Sequence, residues 1–295
     1  MDISLLNFAL KNRHDVDSVM DTCKHFDPQT IFYHACVKNN LELIKHILSL
    51  HTLHDLDFSH NDYAMLTSTM KIMSQEAVLF ILDSLTEHEF HELQTSDVCS
   101  EICYIAGMSG HIDVANRFLE RTILVADEDY WYDLCEHSVI NNINDTLEWI
   151  IKHKLANFES DIFKELFVCA CSYGNIISVS IIFSETPIIE TDFFHDGFIT
   201  ACEHGKIFVA NWILDVGKEE ITNRLRSDNG FRKACKKGYR SIVELLLNLY
   251  KSCNFESREF NDGFANAFEN GFISVLKLVH PYISYNDHLN QSINK

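Results

Sequence analysis

Ten cysteines and sixteen histidines are the side chains of this 295-residue sequence best suited to metal binding or nucleophilic chemistry. Their spacing limits what they can do. Cys36, Cys171, Cys202 and Cys235 each directly follow an alanine, and Cys103 and Cys135 stand three residues before the matching small residue of their own segments. Equivalent residues of successive helical units lie roughly 10 Å apart, the distance set by helix packing, whereas a disulfide needs Cα atoms within about 7 Å. The pattern predicts reduced thiols filling one recurring buried position rather than a disulfide framework. No C-x-x-C pair occurs, and His88 and His91 lie in H-E-F-H-E, which is not the H-E-x-x-H of a zinc protease helix. His46, His51, His54 and His60 crowd one region without a ligand spacing, so no metal and no cofactor are expected.

Other catalytic signatures are missing as well. Neither G-x-G-x-x-G nor G-x-x-x-x-G-K-[ST] is present, Gly217-Lys218 lacks the upstream glycine, and no G-x-S-x-G occurs. Asp127-Glu128-Asp129 reads as a solvated charge run, and the adjoining Tyr130-Trp131-Tyr132 as helix-packing aromatics, although such residues also suit binding hot spots. With no constellation of nucleophile, base and orienting group, the expectation is a protein that is not an enzyme.

Charge singles out one segment. The chain carries a formal charge of −19, yet Arg224, Arg226, Arg232, Lys233, Lys236, Lys237 and Arg240 are opposed locally only by Asp228. Two readings stand: a solvated face that balances neighbouring acids, and a docking patch for an acidic segment of a protein partner. The global field disfavours nucleic acid and anionic membrane as partners. No apolar run approaches 18 residues, and the N-terminal MDISLLNFALKNRHD lacks a basic start and a long apolar core. Neither a membrane span nor a secretory signal is expected, which points to an intracellular, cytoplasmic setting.

The elements that would position these residues are repeats. Ala234–Leu247 reads ACKKGYRSIVELLL: a small pair ends one helix, Gly238 reverses the chain, and Ile242, Val243, Leu245, Leu246 and Leu247 give the apolar spacing of a second helix. Comparable stretches open at Ala35, Ala106, Ala170, Ala201 and Ala267, with weaker copies at Thr69 and Ser138. Successive starts are 31 to 37 residues apart, a period near 33 with two helices per unit. Only three prolines and ten glycines accompany 46% hydrophobic content, which suits a helical chain with a substantial core. Asp196-Gly197-Phe198, Asn229-Gly230-Phe231 and Asp262-Gly263-Phe264 are read as helix starts with Asp or Asn as the cap. The connectors Phe158-Glu159-Ser160, Ile189-Glu190-Thr191 and Phe255-Glu256-Ser257 are read as short capped turns.

The motif A-[AC]-x-x-G-[HNK]-x-x-[VI]-[VA]-x-x-[LI]-[LI], best matched by the segment that carries Gly110-His111-Ile112-Asp113-Val114, resembles the central part of the ankyrin repeat. The T-P-L-H opening and the Gly-Ala-Asp finger of that family are missing, and the degenerate Asn- and Ile-rich repeats resemble the ankyrin arrays of large DNA viruses such as mimivirus. The resemblance implies an all-α, ankyrin-like helical solenoid of about eight helix-turn-helix repeats plus an N-terminal cap. The whole chain, 1–295, is then one solenoid domain: a cap over 1–25, repeats over 26–280, and a polar tail or cap over 281–295.

In that family, partners are bound largely by the C-terminal ends of the first helices, facing a concave groove. Carried over by register, the contact residues are Lys38, Met108, Ser109, Asn141, Tyr173, Glu203, His204, Lys236, Lys237, Glu269 and Asn270. The implied function is a non-enzymatic scaffold for a partner protein, a host factor in the cytoplasm or nucleus for a viral chain. The alternatives are a substrate adaptor of a ubiquitin ligase and a structural virion component.

Overall fold

A small residue followed by a chain reversal four residues on should end a helix with a left-handed turn, because the C-terminal carbonyls of a helix need donors from beyond it. The computed structural model describes residues 16–51, 56, 60–95, 98–119, 128–153, 160–185, 191–224, 229–250 and 257–283, and shows this turn repeatedly. Counting from the residue aligned with Ala234 as position 1, position 5 has positive φ at Asn39, Gly110, Asn142, Gly174, Gly205, Gly238 and Gly271. In each case the position-6 N–H donates to the position-1 carbonyl, as from Asn40 to Ala35 (2.9 Å), Ile143 to Ser138 (2.9 Å) and Tyr239 to Ala234 (2.9 Å). This is the six-to-one bond of a Schellman motif. Thr69 is the departure: Met73 at position 5 keeps negative φ, and its N–H donates to Thr69 O at 3.1 Å. Asparagine serves twice where glycine is usual because its short polar side chain tolerates this region.

The fold is all-helical and repeat-like. Its contacts divide the chain into two compact units, Met1–Leu134 and Cys135–Lys295. In the first, α1 (Val16–Cys23) precedes α2 (Pro28–Val37), α3 (Leu41–Leu50), α4 (His60–Met70), α5 (Gln75–Asp83), α6 (Glu87–Thr95), α7 (Val98–Met108) and α8 (Ile112–Leu119). First helices pack on first helices, α2 on α4 and α4 on α7, and second on second, α3 on α5 and α5 on α8. The helix α1 packs on α3, and residues 1–15, most of the stretch read as a cap, lie outside the described residues. The helix α6 is an insertion between pairs and accounts for the longest spacing, between Thr69 and Ala106. It starts with a reciprocal capping box: Thr86 N donates to Glu89 Oε2 (2.8 Å) and Glu89 N to Thr86 Oγ1 (3.2 Å).

The helix α9 (Glu128–Asn141) runs across the division between the units. The second unit continues with α10 (Asn144–Lys152), α11 (Ser160–Tyr173), α12 (Ile176–Glu185), α13 (Thr191–Glu203), α14 (Ile207–Arg224), α15 (Asn229–Lys237), α16 (Arg240–Tyr250), α17 (Ser257–Glu269) and α18 (Ile273–Val279), then a 3₁₀ turn, His280–Tyr282. Here α11, α13, α15 and α17 form one row, and α10, α12, α14, α16 and α18 the other. The helix α14 is broken at Gly217 (φ −129°, ψ 36°), against the Phe194 ring.

Burial follows the repeat position. Positions 1 and 2 are buried from Ala35-Cys36 to Ala234-Cys235, as is the residue three before position 1: Phe32, Leu66, Cys103, Cys135, Phe167, Phe198 and Phe231. Two expectations are corrected. Asp196 and Asp262 do not cap helices, because α13 and α17 already begin at Thr191 and Ser257, so both aspartates lie in mid-helix. Each instead pairs with the preceding repeat, Asp196 with Lys164 (2.8 Å) and Asp262 with Arg232 (3.8 Å). The adjacent glycines allow close approach: a Cβ at Gly263 would stand 2.5 Å from Phe231 Cε1 and 3.1 Å from Cys235 Sγ, and Gly197 faces Phe167 and Cys171 in the same way. Of the connector triplets, Ser160, Thr191 and Ser257 are the first residues of their helices.

Candidate functional site

Residues just past a buried helix end are free of packing duties, and positions 3 and 4 of each repeat show how that freedom is used. Lys38 is the C-terminal cap residue of α2 and is exposed, while Met108 and Ser109 are half-buried. Tyr173 is 51% exposed, and His204, Lys236, Lys237, Glu269 and Asn270 all stand at the surface. Three of these positions also finish their helices. Asn141 Nδ2 donates to His137 O (2.9 Å), Asn270 Nδ2 to Asn266 O (2.8 Å), and His204 Nδ1 lies 3.0 Å from Thr200 O. Each side chain thereby lies at a carbonyl of the last helical turn, and the carbonyls of Thr200 and Asn266 also accept the backbone N–H of His204 (3.1 Å) and of Asn270 (3.3 Å).

Glu203 is different. Its side chain is only 16% exposed, and Lys233 Nζ donates to its Oε2 at 2.7 Å. Lys237 Nζ donates to the Glu203 carbonyl (3.2 Å) and sits 5.9 Å from the Tyr239 ring centre. Part of the basic segment is therefore bonded to a neighbouring repeat while still exposed. Arg232 reaches the buried Glu259 at 3.3 Å and also pairs with Asp262 and Asn229. Lys233, Lys236, Lys237 and Arg240 are all exposed, Lys233 and Lys237 while bonded to Glu203, and the side chains of Arg224 and Arg226 lie outside the described residues. The register that carries Lys236 and Lys237 could be read from the sequence; the engagement of Arg232 and Lys233 could not, because their partners are about 30 residues away.

Successive repeats also meet through the turns. Ser74 N donates to Asn39 Oδ1 (2.8 Å), and His111 Nε2 lies 2.9 Å from Met73 O. In the second unit the position-6 side chains of Lys206, Tyr239 and Phe272 lie over Gly174, Gly205 and Gly238 of the repeat before. A glycine here therefore serves two ends, the left-handed turn and the space for a neighbour.

Nine described cysteines are free thiols, eight of them buried. Burial pushes the Cys36 and Cys235 thiols up to about 12 and half-buried Cys169 to about 11, and raises Cys135 and Cys171 as well. Cys103 is raised first by its hydrogen bond to Cys99 and then by burial. An ordinary thiol titrates near 8.5, so the unfolded chain ionises before the folded one. This contribution to stability is fully present below about pH 8.5 and is lost as pH rises towards 12. The urea midpoint should fall between pH 8 and pH 11, and Cys36→Ala with Cys235→Ala should flatten part of that slope; an unchanged slope in the double variant would refute the assignment.

Among the described residues no group of three or more His, Cys, Asp or Glu is placed to hold a metal ion, and no helix is long and apolar enough to cross a membrane. His88 pairs with Glu92 (3.6 Å) on the exposed face of α6, and Trp131 is buried, so it forms no surface hot spot. His54 and the His60 side chain lie outside the described residues. Exposed apolar residues that the motif left unassigned are Phe208 (80% exposed), Phe268 (69%) and Ile273 (65%). For Phe268 a signal existed, since it stands where other repeats carry cysteine. No protein-family model matches the chain, and no curated protein matches it either.

Proposed function

We propose that this chain is a non-enzymatic, ankyrin-like scaffold that holds a partner protein on the exposed ends of its first helices. One contrast supports the reading. From α11 to α15 the buried pair is Ala-Cys throughout, whereas the surface positions beside it change from Tyr173 to His204 and to Lys236 and Lys237, and α17 carries Glu269 and Asn270 at the same register. Packing does not account for that variety, and Tyr is among the residue types favoured at binding hot spots.

The partner is a protein with an acidic segment that meets Lys236, Lys237 and Arg240. On a chain of charge −19 this cluster sets the register of docking more than its strength. The same net charge disfavours nucleic acid and anionic membrane. The resemblance to viral ankyrin arrays extends the reading to a host factor met inside the cell.

Lys236→Glu and Lys237→Glu combined with Tyr173→Ala should abolish affinity capture of partners from extracts of the natural cell, with the thermal unfolding profile retained. Capture by the parent chain should weaken as salt is raised. Undiminished capture of every partner by the triple variant would sink the proposal.

A further inference from the structure

Among the described residues, no further repeat stacks on α17 and α18 of the second unit. Three residues of each repeat face the next one: the aromatic three before position 1, position 2 and position 10. In the preceding repeats these are fully covered, as Phe198, Cys202 and Ala210 or Phe231, Cys235 and Val243. In the last described repeat the equivalents are Phe264, Phe268 and Leu276. Phe264 and Leu276 are half-buried, and Phe268 is 69% exposed. Gly271 agrees with this. It has the left-handed φ of 74°, yet nothing stands within 4 Å of an added Cβ, whereas Lys206, Tyr239 and Phe272 cover the corresponding glycines.

This face is not shaped for another regular repeat. In the interior, position 2 is a cysteine whose Sγ lies 3.1 Å from the Cβ position of the next repeat's glycine, at Gly197 and at Gly263. A phenylalanine in that place would fill the space the incoming helix needs. Phe268 is therefore a knob, and the same repeat carries a hole. A pocket of about 300 Å³, lined by Phe264, Ile273, Leu276, Lys277 and His280, opens on this repeat. That volume lies at the lower end of ligand-sized sites and is ample for one phenyl ring. Exposed Glu269 and Lys277 supply charges of both signs on the same repeat.

We propose that this face binds a second copy of the chain, each copy inserting Phe268 into the pocket of the other. A two-fold contact places the same patch on both partners, so a knob and a hole on one face are satisfied together. The interface continues the apolar surface that stacks α15 on α17 and α16 on α18 within the chain. It is separate from the Lys236 cluster, and it has the opposite salt dependence. Two copies of charge −19 repel each other, so added salt strengthens this association while it weakens acidic-partner capture.

Sedimentation equilibrium of the full chain across micromolar concentrations tests the proposal. The expected result is a monomer–dimer equilibrium that tightens from 50 to 500 mM salt. Phe268→Ala should weaken it by about thirty-fold or more, as for a hot-spot aromatic. Phe208→Ala removes an aromatic that is still more exposed, outside this face, and should leave it unchanged. Both positions are at the surface, so thermal unfolding of the monomer should hold in each variant. A chain that stays monomeric at all concentrations, or a dimer equally weakened by Phe208→Ala, would overturn the proposal.

Discussion

Phe231→Ala is expected to destabilise the second unit by about 3–5 kcal/mol, the range for removing a buried phenylalanine from a packed core. Phe231 is buried at the point where three helices meet. Its ring stands edge-on to Tyr250 of α16 (5.6 Å, 69°) and to Phe260 of α17 (5.7 Å, 89°), and Gly263 lies directly against it. Truncation removes the transfer free energy of the ring, leaves a cavity that helices on both sides cannot fill, and loses two aromatic contacts of about 0.5–1.5 kcal/mol each beyond area burial. Hydrogen exchange should show the loss in α15, α16 and α17, with a lower denaturant midpoint for the chain. Phe264→Ala, at the equivalent place in the last described repeat, should cost much less because that ring is only half-buried. Equal losses at the two sites would show that coverage by the next repeat is not what stabilises this position.

Gly238→Ala is expected to cost about 2–5 kcal/mol through two separate effects. The residue holds φ at 74°, where an L side chain costs roughly 1–2 kcal/mol. The added methyl would also stand 2.5 Å from Phe272 Cδ1 and 2.8 Å from Cγ, so the ring must move out of its place over the turn. Overpacking of this kind typically adds about 1–3 kcal/mol. Gly271→Ala separates the two, because Gly271 shares the φ of 74° and has nothing within 4 Å. Urea unfolding of both variants should therefore give the smaller loss for Gly271→Ala, and the difference measures the Phe272 contact. Identical losses would mean that the backbone conformation alone decides the effect.

Local features were legible to the degree that their causes are local. The turn after each small pair depends on a few residues at fixed offsets, so its register could be aligned from Ala35 to Ala267 before any contact was known, and Asn39 and Asn142 stand in for glycine within it. The one turn that departs from the rule, at Met73, belongs to a copy whose motif is weak. The reading failed where local chemistry competes with a distant partner. Asp followed by Gly-Phe has the look of a helix start, yet Asp196 and Asp262 are mid-helix and pair with Lys164 and Arg232 of the preceding repeat. Glu203 and Lys233 were each assigned to surface features, and they are joined across about 30 residues.

For the candidate surface the same division holds. Which positions escape packing follows from the helical period, so Tyr173, His204, Lys236 and Lys237 could be chosen from their distance to the buried pair. Which of them keep a free side chain is settled by neighbours in space, and this separates Lys236 from Glu203. The sequence by itself determined the helical class, the period, the buried cysteine register and the turn chemistry, because each rests on spacings within one repeat. Only the tertiary structure decided which charges are consumed between repeats, why glycine must sit in mid-helix at Gly197 and Gly263, and that Phe268 is left uncovered. Those outcomes arise where one repeat meets the next, and an interface between surfaces 30 residues apart leaves no mark in the periodicity of either.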